Sequence, residues 1–283
     1  MLLVADSGST KTNWLLTDKN SFTTEIETIG FNPFFHNSDF ILNELKKNQT
    51  LVQYADAIKD IKFFGSGCSS DDRKNIVVSA FKNMFPNAKL FVDHDMLGAA
   101  LAACFNSAGL VAILGTGSNI AFWNGTHIHP TNHGLGYILG DEGSGSYFGR
   151  KLITHFLYGI MPDDLSKKFF QKYNMNKEMA IHHVYHQPGA NVYLASFSKF
   201  LSDEAQHPYI QTLIYKGLLE FVETSVLAYP QHQNYPVHFI GSIAFHFKTI
   251  LKQIADEKKF MVGKIIVRPV DELLAYFTQS PEK

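Results

Sequence analysis

The sequence predicts an α/β fold made of two similar halves, and three observations carry that prediction. First, Asp6-Ser7-Gly8-Ser9 and Gly115-Thr116-Gly117-Ser118 each interrupt a pair of apolar runs, and a displacement of 109 residues lays Ser7 on Thr116, Gly8 on Gly117, Ser9 on Ser118 and Trp14 on Trp123. This is an internal repeat of strand, tight turn and strand. Second, each half opens on strands and turns and closes on units of strand followed by helix. Third, the pattern restarts at Ser107-Ala108-Gly109. Two domains, 1–108 and 109–268, follow, and a nucleotide held in a cleft between them is the arrangement that paired turns imply.

The elements follow in order. Leu2–Ala5 and Asn13–Thr17 are short apolar runs and Phe22–Thr28 alternates, which predicts three successive strands. Phe40–Leu51 has helical spacing, Ile61–Phe64 reads as a buried strand, and Arg73–Phe85 is helical through Ile76, Val77, Ala80, Phe81 and Met84. Lys89–Val92 is a strand running into Asp93-His94-Asp95, and Leu97–Phe105 is an alanine-rich helix. In the second half Leu110–Leu114 and Asn119–Trp123 read as strands, with Asn124-Gly125 as a hairpin turn into a third, Thr126–His129. Helices are predicted over Gly143–Tyr158, Asp163–Tyr173, Val192–Ala205 and Tyr209–Ala228. Val237–Ile240 and Lys264–Val267 are strands, and Ala244–Ala255 and Val270–Phe277 are helices.

Composition narrows the function classes. The 283 residues are 45% hydrophobic and 18% charged, with a formal net charge of -1, so no broad electrostatic attraction to nucleic acid or anionic membrane is expected. Two cysteines, Cys68 and Cys104, cannot build a disulfide framework and fit a reducing compartment. The opening apolar run meets Asp6 too early for a signal peptide, and no apolar stretch reaches the length of a membrane span, so a cytoplasmic location is expected.

The glycine turns carry the chemistry. A residue without a Cβ lets backbone N–H groups converge on an anion, and neighbouring hydroxyls add donors. Ser7, Gly8, Ser9, Thr10, Lys11 and Thr12 in the first turn, with Gly115, Thr116, Gly117 and Ser118 in the second, are therefore candidate phosphate ligands of ATP. Neither a Walker-type segment nor a dinucleotide glycine fingerprint is present. Asp6 beside a phosphate loop would repel its ligand unless a cation intervened, so it is a candidate Mg²⁺ partner, directly or through water. An ordinary hairpin with a polar tip is the alternative. Asp95 is a candidate base for taking a hydroxyl proton in phosphoryl transfer, or else a helix N-cap.

Gly140-Asp141-Glu142-Gly143-Ser144-Gly145 combines two carboxylates with glycines ahead of a helix. That suits sugar hydroxyls approaching backbone and carboxylate, or simply an acidic helix start. Asn32 is a candidate polar contact or a turn asparagine. Gly241-Ser242, between strand and helix, leaves room for adenosine or is only a close turn. Gly65-Ser66-Gly67 reads as mostly structural. His182, His183 and His186 lack the glutamate that a helical metalloprotease motif needs.

On these residues the chain resembles the sugar kinase, actin and Hsp70 ATPase superfamily, and within it the BadF/BadG/BcrA/BcrD group that includes N-acetylglucosamine kinases. Asp6–Thr12 resembles the first phosphate motif, Gly115–Asn119 the second, Gly241-Ser242 the adenosine motif and Gly140–Ser144 the sugar-side motif. The resemblance implies two ribonuclease-H-like (actin-like ATPase) domains closing over ATP and sugar, with a C-terminal helix, 269–283, packed back on the first. It implies that Asp95 is the base at the sugar 6-hydroxyl and that Asn32, Thr116, Gly117 and Asp141 contact the sugar. Leu135 departs from the tryptophan of the animal enzymes near the acetamido group.

The function so implied is ATP- and Mg²⁺-dependent phosphorylation of an amino sugar, N-acetylglucosamine first, by a protein with no nucleic acid or membrane partner; a homodimer is compatible with it. Two rivals stand beside it: an ATPase that activates a dehydratase through a shared iron–sulfur cluster, and a non-catalytic sugar sensor.

Overall fold

The structure is a computed structural model that describes residues 1–18, 22–129 and 132–279. The chain divides into two compact units. One comprises residues 1–108, Trp123–Ile128 and the C-terminal segment from Arg268; the other comprises Gly109–Phe122 and His129–Val267. Among the described residues, no helix is long and apolar enough to cross a membrane.

The first unit is built on strands β1 (Leu2–Ser7), β2 (Lys11–Thr17), β3 (Thr23–Ile29), β4 (Asp60–Gly65) and β5 (Lys89–His94), in the order β3-β2-β1-β4-β5. The β1–β2–β3 meander is antiparallel, and β4 and β5 add parallel strands on the other side of β1. β1 is central, so both its faces are covered and Leu2 to Ala5 form an unbroken apolar run. Strand periodicity splits the sheet cleanly. Leu3, Ala5, Trp14, Leu16, Ile61 and Phe63 join α1 (Ser38–Lys46), α2 (Gln49–Tyr54) and α3 (Asp71–Met84) in one core. Trp14 lies at its centre, with ring centroids 6.1, 5.8 and 5.9 Å from those of Phe31, Phe63 and Phe81.

The opposite face, which carries Phe64, is covered by α4 (Asp95–Cys104). A Cβ on Gly98 would lie 2.7 Å from that of Phe64, so only glycine lets the helix lie this close. The C-terminal helix packs beside α4, with Phe277 stacked on Phe64 at 6.0 Å. It spans Pro269–Gln279; positions 280–283 of the predicted helix lie outside the described residues.

The predicted helix over Phe40–Leu51 is two helices, because the Asn48 side chain accepts from Leu51 N (3.1 Å) and caps a new start. This is the competition asparagine offers to a continuing helix.

The second unit is built on β6 (Gly109–Leu114), β7 (Ser118–Trp123, whose last residue counts with the first unit), β8 (Val237–Ile240) and β9 (Val262–Ile266), in the order β7-β6-β8-β9, with β8 parallel to both neighbours. Its helices are α5 (Gly136–Leu139), α6 (Gly145–Leu157), α7 (Asp163–Tyr173), α8 (Lys177–Ile181), α9 (Ala190–Ser196), α10 (Lys199–Asp203), α11 (Pro208–Phe221), α12 (Ser242–His246) and α13 (Lys248–Lys258). The predicted third strand, Thr126–His129, is reduced to one bridge between Trp123 and Ile128. Asn124 Oδ1 instead accepts from Thr126 N, Thr126 Oγ1 and His127 N at 2.9 to 3.0 Å, a local turn that displaces a ladder.

Candidate functional site

The first half-site grows from the C-terminal ends of β1 and β4. The β1–β2 turn is closed by Gly8 N donating to Lys11 O at 3.0 Å, and Gly8 and Thr10 are exposed at its tip. Ser7 and Thr12, both candidate phosphate ligands, do not line it. Each is fully buried, on the core face two residues from Ala5 and Trp14 respectively. Their hydroxyls bond each other at 2.7 Å, Ser7 Oγ accepts from Phe31 N at 3.0 Å, and Thr12 Oγ1 donates to Ile29 O at 3.0 Å. They hold the turn from behind, and this corrects the sequence reading of their side chains. Gly8, Ser9, Thr10 and Lys11 remain at the tip. Lys11 Nζ lies 3.1 Å from Glu27 in an exposed pair, a contact of the kind worth about 0–1 kcal/mol and easily given up to a phosphate.

Gly30 was not singled out from sequence, yet it fixes the turn. A Cβ there would lie 2.1 Å from Gly8 O, and its N–H donates to Thr10 O at 3.0 Å. Asn32 is buried; its Nδ2 donates to Ser9 Oγ at 3.3 Å and its Oδ1 accepts from Phe34 N at 3.0 Å. It is thus a turn asparagine tied to the β1–β2 turn.

Asp6 points to the opposite face of the sheet from Ser7. Burial first, then repulsion from the Asp95 carboxylate, pushes its pKa up to about 7, with Lys11 pulling the other way. Two neighbouring carboxylates short of positive charge form a donor set that fits a hard divalent cation such as Mg²⁺, which takes one or two carboxylates together with phosphates and water. Among the described residues no three His, Cys, Asp or Glu side chains gather as a metal cluster.

Asp95 is the first residue of α4, and the cap is its neighbour: His94 Nδ1 accepts from Leu97 N at 3.2 Å. Asp95 is therefore not spent as a cap. Its Oδ1 accepts from Met96 N at 2.9 Å and its Oδ2 from Ser66 Oγ at 2.7 Å. Ser66 belongs to the glycine loop read as mostly structural, so that reading missed a direct contact to Asp95. Asp93 accepts from Lys74 Nζ at 2.8 Å instead.

Cys68 and Cys104 are both buried free thiols, and burial together with Asp95 and Asp93 pushes the Cys68 thiol up to about 12. Neither has the exposure of a cluster ligand.

The second half-site surrounds the β6–β7 turn. Gly115 N donates to Gly117 O at 3.0 Å, and the start of α6 grips the turn from one side: Gly145 N donates to Gly115 O at 2.8 Å and Ser146 N to Thr116 O at 2.9 Å. Ser144 caps that helix by accepting from Tyr147 N at 3.2 Å. Asp141 reaches over the turn from a left-handed backbone, φ 60°, and accepts from Ser118 N at 3.0 Å. Its pKa is raised, by burial above all, with Glu142 adding to the rise and the Ser118 N–H, Ser146 and Arg150 opposing it.

Gly241, φ 114°, passes under the same turn, where a Cβ would lie 2.5 Å from Leu114 O, and Ser242 is exposed at the start of α12. Thr116, Gly117, Ser118, Asp141 and Gly241 are thus brought together, and Leu135, six residues before Asp141, is exposed. His182 and His183 are engaged locally, with Gln187 Nε2 and Met179 O at 2.9 Å each.

No protein-family model matches the chain, and no curated protein matches it. Among solved structures it is similar to a candidate N-acetylglucosamine kinase of Porphyromonas gingivalis, at 35% identity and TM-score 0.92, covering 99% of this chain and 100% of that one. A candidate N-acetylglucosamine kinase of Chromobacterium violaceum shares the fold at 17% identity and TM-score 0.71, covering 97% and 98%. MreB 5 of Spiroplasma citri, solved with AMPPNP bound, shares it at 12% identity and TM-score 0.57, covering 99% and 96%. With more than a third of its residues shared with the first of these over essentially the full length of both, the chain belongs to the family of that Porphyromonas gingivalis protein and carries the actin-like ATPase fold of the sugar kinases.

Proposed function

We propose that the protein is an ATP-dependent kinase that phosphorylates an amino sugar, N-acetylglucosamine, at its 6-hydroxyl, as a member of the BadF/BadG/BcrA/BcrD group. The observation that carries this reading is the carboxylate pair of the first unit. Asp95 is held by Met96 N–H and the Ser66 hydroxyl, and Asp6 lies within its electrostatic reach at the root of a glycine turn. Family membership supports the reaction class, and the name of the relative supports the sugar.

In this reading the sugar hydroxyl oxygen attacks the γ-phosphorus as the bond from that phosphorus to the bridging oxygen breaks. ADP leaves with the bridging oxygen, and the hydroxyl proton passes to a free lone pair of Asp95. Gly8, Ser9, Thr10 and Lys11, together with Gly115, Thr116, Gly117 and Ser118, are its phosphate ligands, while Gly241 and Ser242 leave space for adenosine. Asp141 accepts from sugar hydroxyls, and Asn32 keeps the first turn in register for the same acceptor. Mg²⁺, with Asp6 as its partner, neutralises phosphate charge when bound.

The burial of both cysteines weighs against the dehydratase-activating alternative. ADP release measured across glucose, glucosamine, N-acetylglucosamine, N-acetylmannosamine and muramic acid derivatives tests the proposal. Turnover strongest with N-acetylglucosamine supports it; ATP hydrolysis indifferent to every sugar rejects it.

A further inference from the structure

We infer that Ser66 is a positioning residue for Asp95, an inference that rests on Asp95 being the base of the proposed reaction. Ser66 lies one residue beyond β4. Its backbone N–H donates to Ser7 O at 2.8 Å, which extends the parallel β1–β4 pairing by one step to the root of the first phosphate turn. Its hydroxyl donates to Asp95 Oδ2 at 2.7 Å. One residue therefore links the backbone that launches the phosphate turn to the carboxylate that would take the proton.

The two bonds have separable effects. The main-chain bond does not involve the side chain, so Ser66→Ala and Ser66→Thr both retain the donor that anchors the loop. The hydroxyl bond fixes the carboxylate. Oδ1 already accepts from Met96 N at 2.9 Å, and a carboxylate held at one oxygen alone still swings the other. Donation to Oδ2 removes that freedom and leaves the second lone pair of Oδ2 aimed in one direction. Rate depends steeply on such placement, since a group displaced by about 1 Å costs on the order of a hundredfold. Hydroxyl donation to an ionised carboxylate also belongs to the stronger class of hydrogen bonds. The Gly67 side of the same loop is committed elsewhere, against Asn32 and Phe34, so Ser66 is the loop residue that serves Asp95.

The experiment compares Ser66→Ala, Ser66→Thr and Asp95→Asn with the wild type in the ADP-release assay with N-acetylglucosamine, together with thermal melting of each protein. Ser66→Ala is expected to lower kcat by about 10- to 100-fold, leave KM for ATP within about twofold, and melt like the wild type. Ser66→Thr, which keeps the hydroxyl, is expected to recover most of kcat. If Ser66→Ala keeps kcat within about twofold while Asp95→Asn abolishes turnover, the positioning role is wrong and the kinase reading stands. Recovery absent in a stably folded Ser66→Thr protein also counts against the hydroxyl. If Asp95→Asn itself keeps wild-type turnover, Asp95 is not the base and both fall together.

Discussion

The Asp141 carboxylate fills the space that a side chain at Gly117 would need: a Cβ built on Gly117 lies 2.8 Å from Asp141 Oδ2. The second turn and the acidic loop are thereby interlocked, since the same carboxylate accepts from the N–H of Ser118. Gly117→Ala must push Asp141 aside and break that bond. In the proposed kinase it should raise KM for the sugar about tenfold, the value of one hydrogen bond to a charged group. Asp141→Asn should raise it similarly, with kcat less affected in both. Steady-state kinetics with sugar varied at saturating ATP is the check, and an unchanged sugar KM in both variants would remove Asp141 from the substrate site.

Gly30 makes an equally tight approach, but to backbone. Its would-be Cβ meets Gly8 O at 2.1 Å and Ser9 C at 2.7 Å, and neither can rotate away. Gly30→Ala should therefore displace the β1–β2 turn, destabilising the protein by about 2 kcal/mol as overpacking typically does and, in the proposed kinase, weakening nucleotide binding by more than it weakens sugar binding. Denaturant unfolding and calorimetric titration with an ATP analogue measure the two effects.

Asp6 gives a prediction with a definite sign. Its folded pKa, about 7, is above the unfolded value of 3.8. Between those values the folded state holds a proton that the unfolded chain has lost, so stability falls as pH rises from about 4 to 7 and the penalty is complete above 7. Asp6→Asn removes the penalty. Without ligand the variant should melt at the wild-type temperature near pH 4 and on the order of 5 °C higher at pH 8. Addition of Mg²⁺ and ATP should reverse the order at pH 8 by stabilising the wild type more. Melting curves across pH 4 to 8, with and without ligand, decide it.

Much of this was legible from the chain. Local signals sufficed for β8, whose predicted and observed bounds coincide at Val237–Ile240, and for α7 at Asp163–Tyr173. The inward direction of Ser7 and Thr12 was also within reach, because each sits two residues from a core position, Ala5 or Trp14, on a strand. Pattern matching on hydroxyls obscured that periodicity. Gly30 and Ser66 were out of reach for a different reason: their importance lies in contacts to Gly8 and Asp95, far away in sequence, and nothing in either residue's neighbours announces the partner.

Asp95→Asn is the most direct measurement of the central claim, that an aspartate at the start of α4 takes the proton of a sugar hydroxyl during transfer from ATP. Its kcat with N-acetylglucosamine is read beside the dissociation constant for an ATP analogue. The account predicts a fall in kcat of about a thousandfold or more with nucleotide affinity within about threefold of the wild type. Turnover within about tenfold of the wild type would contradict it.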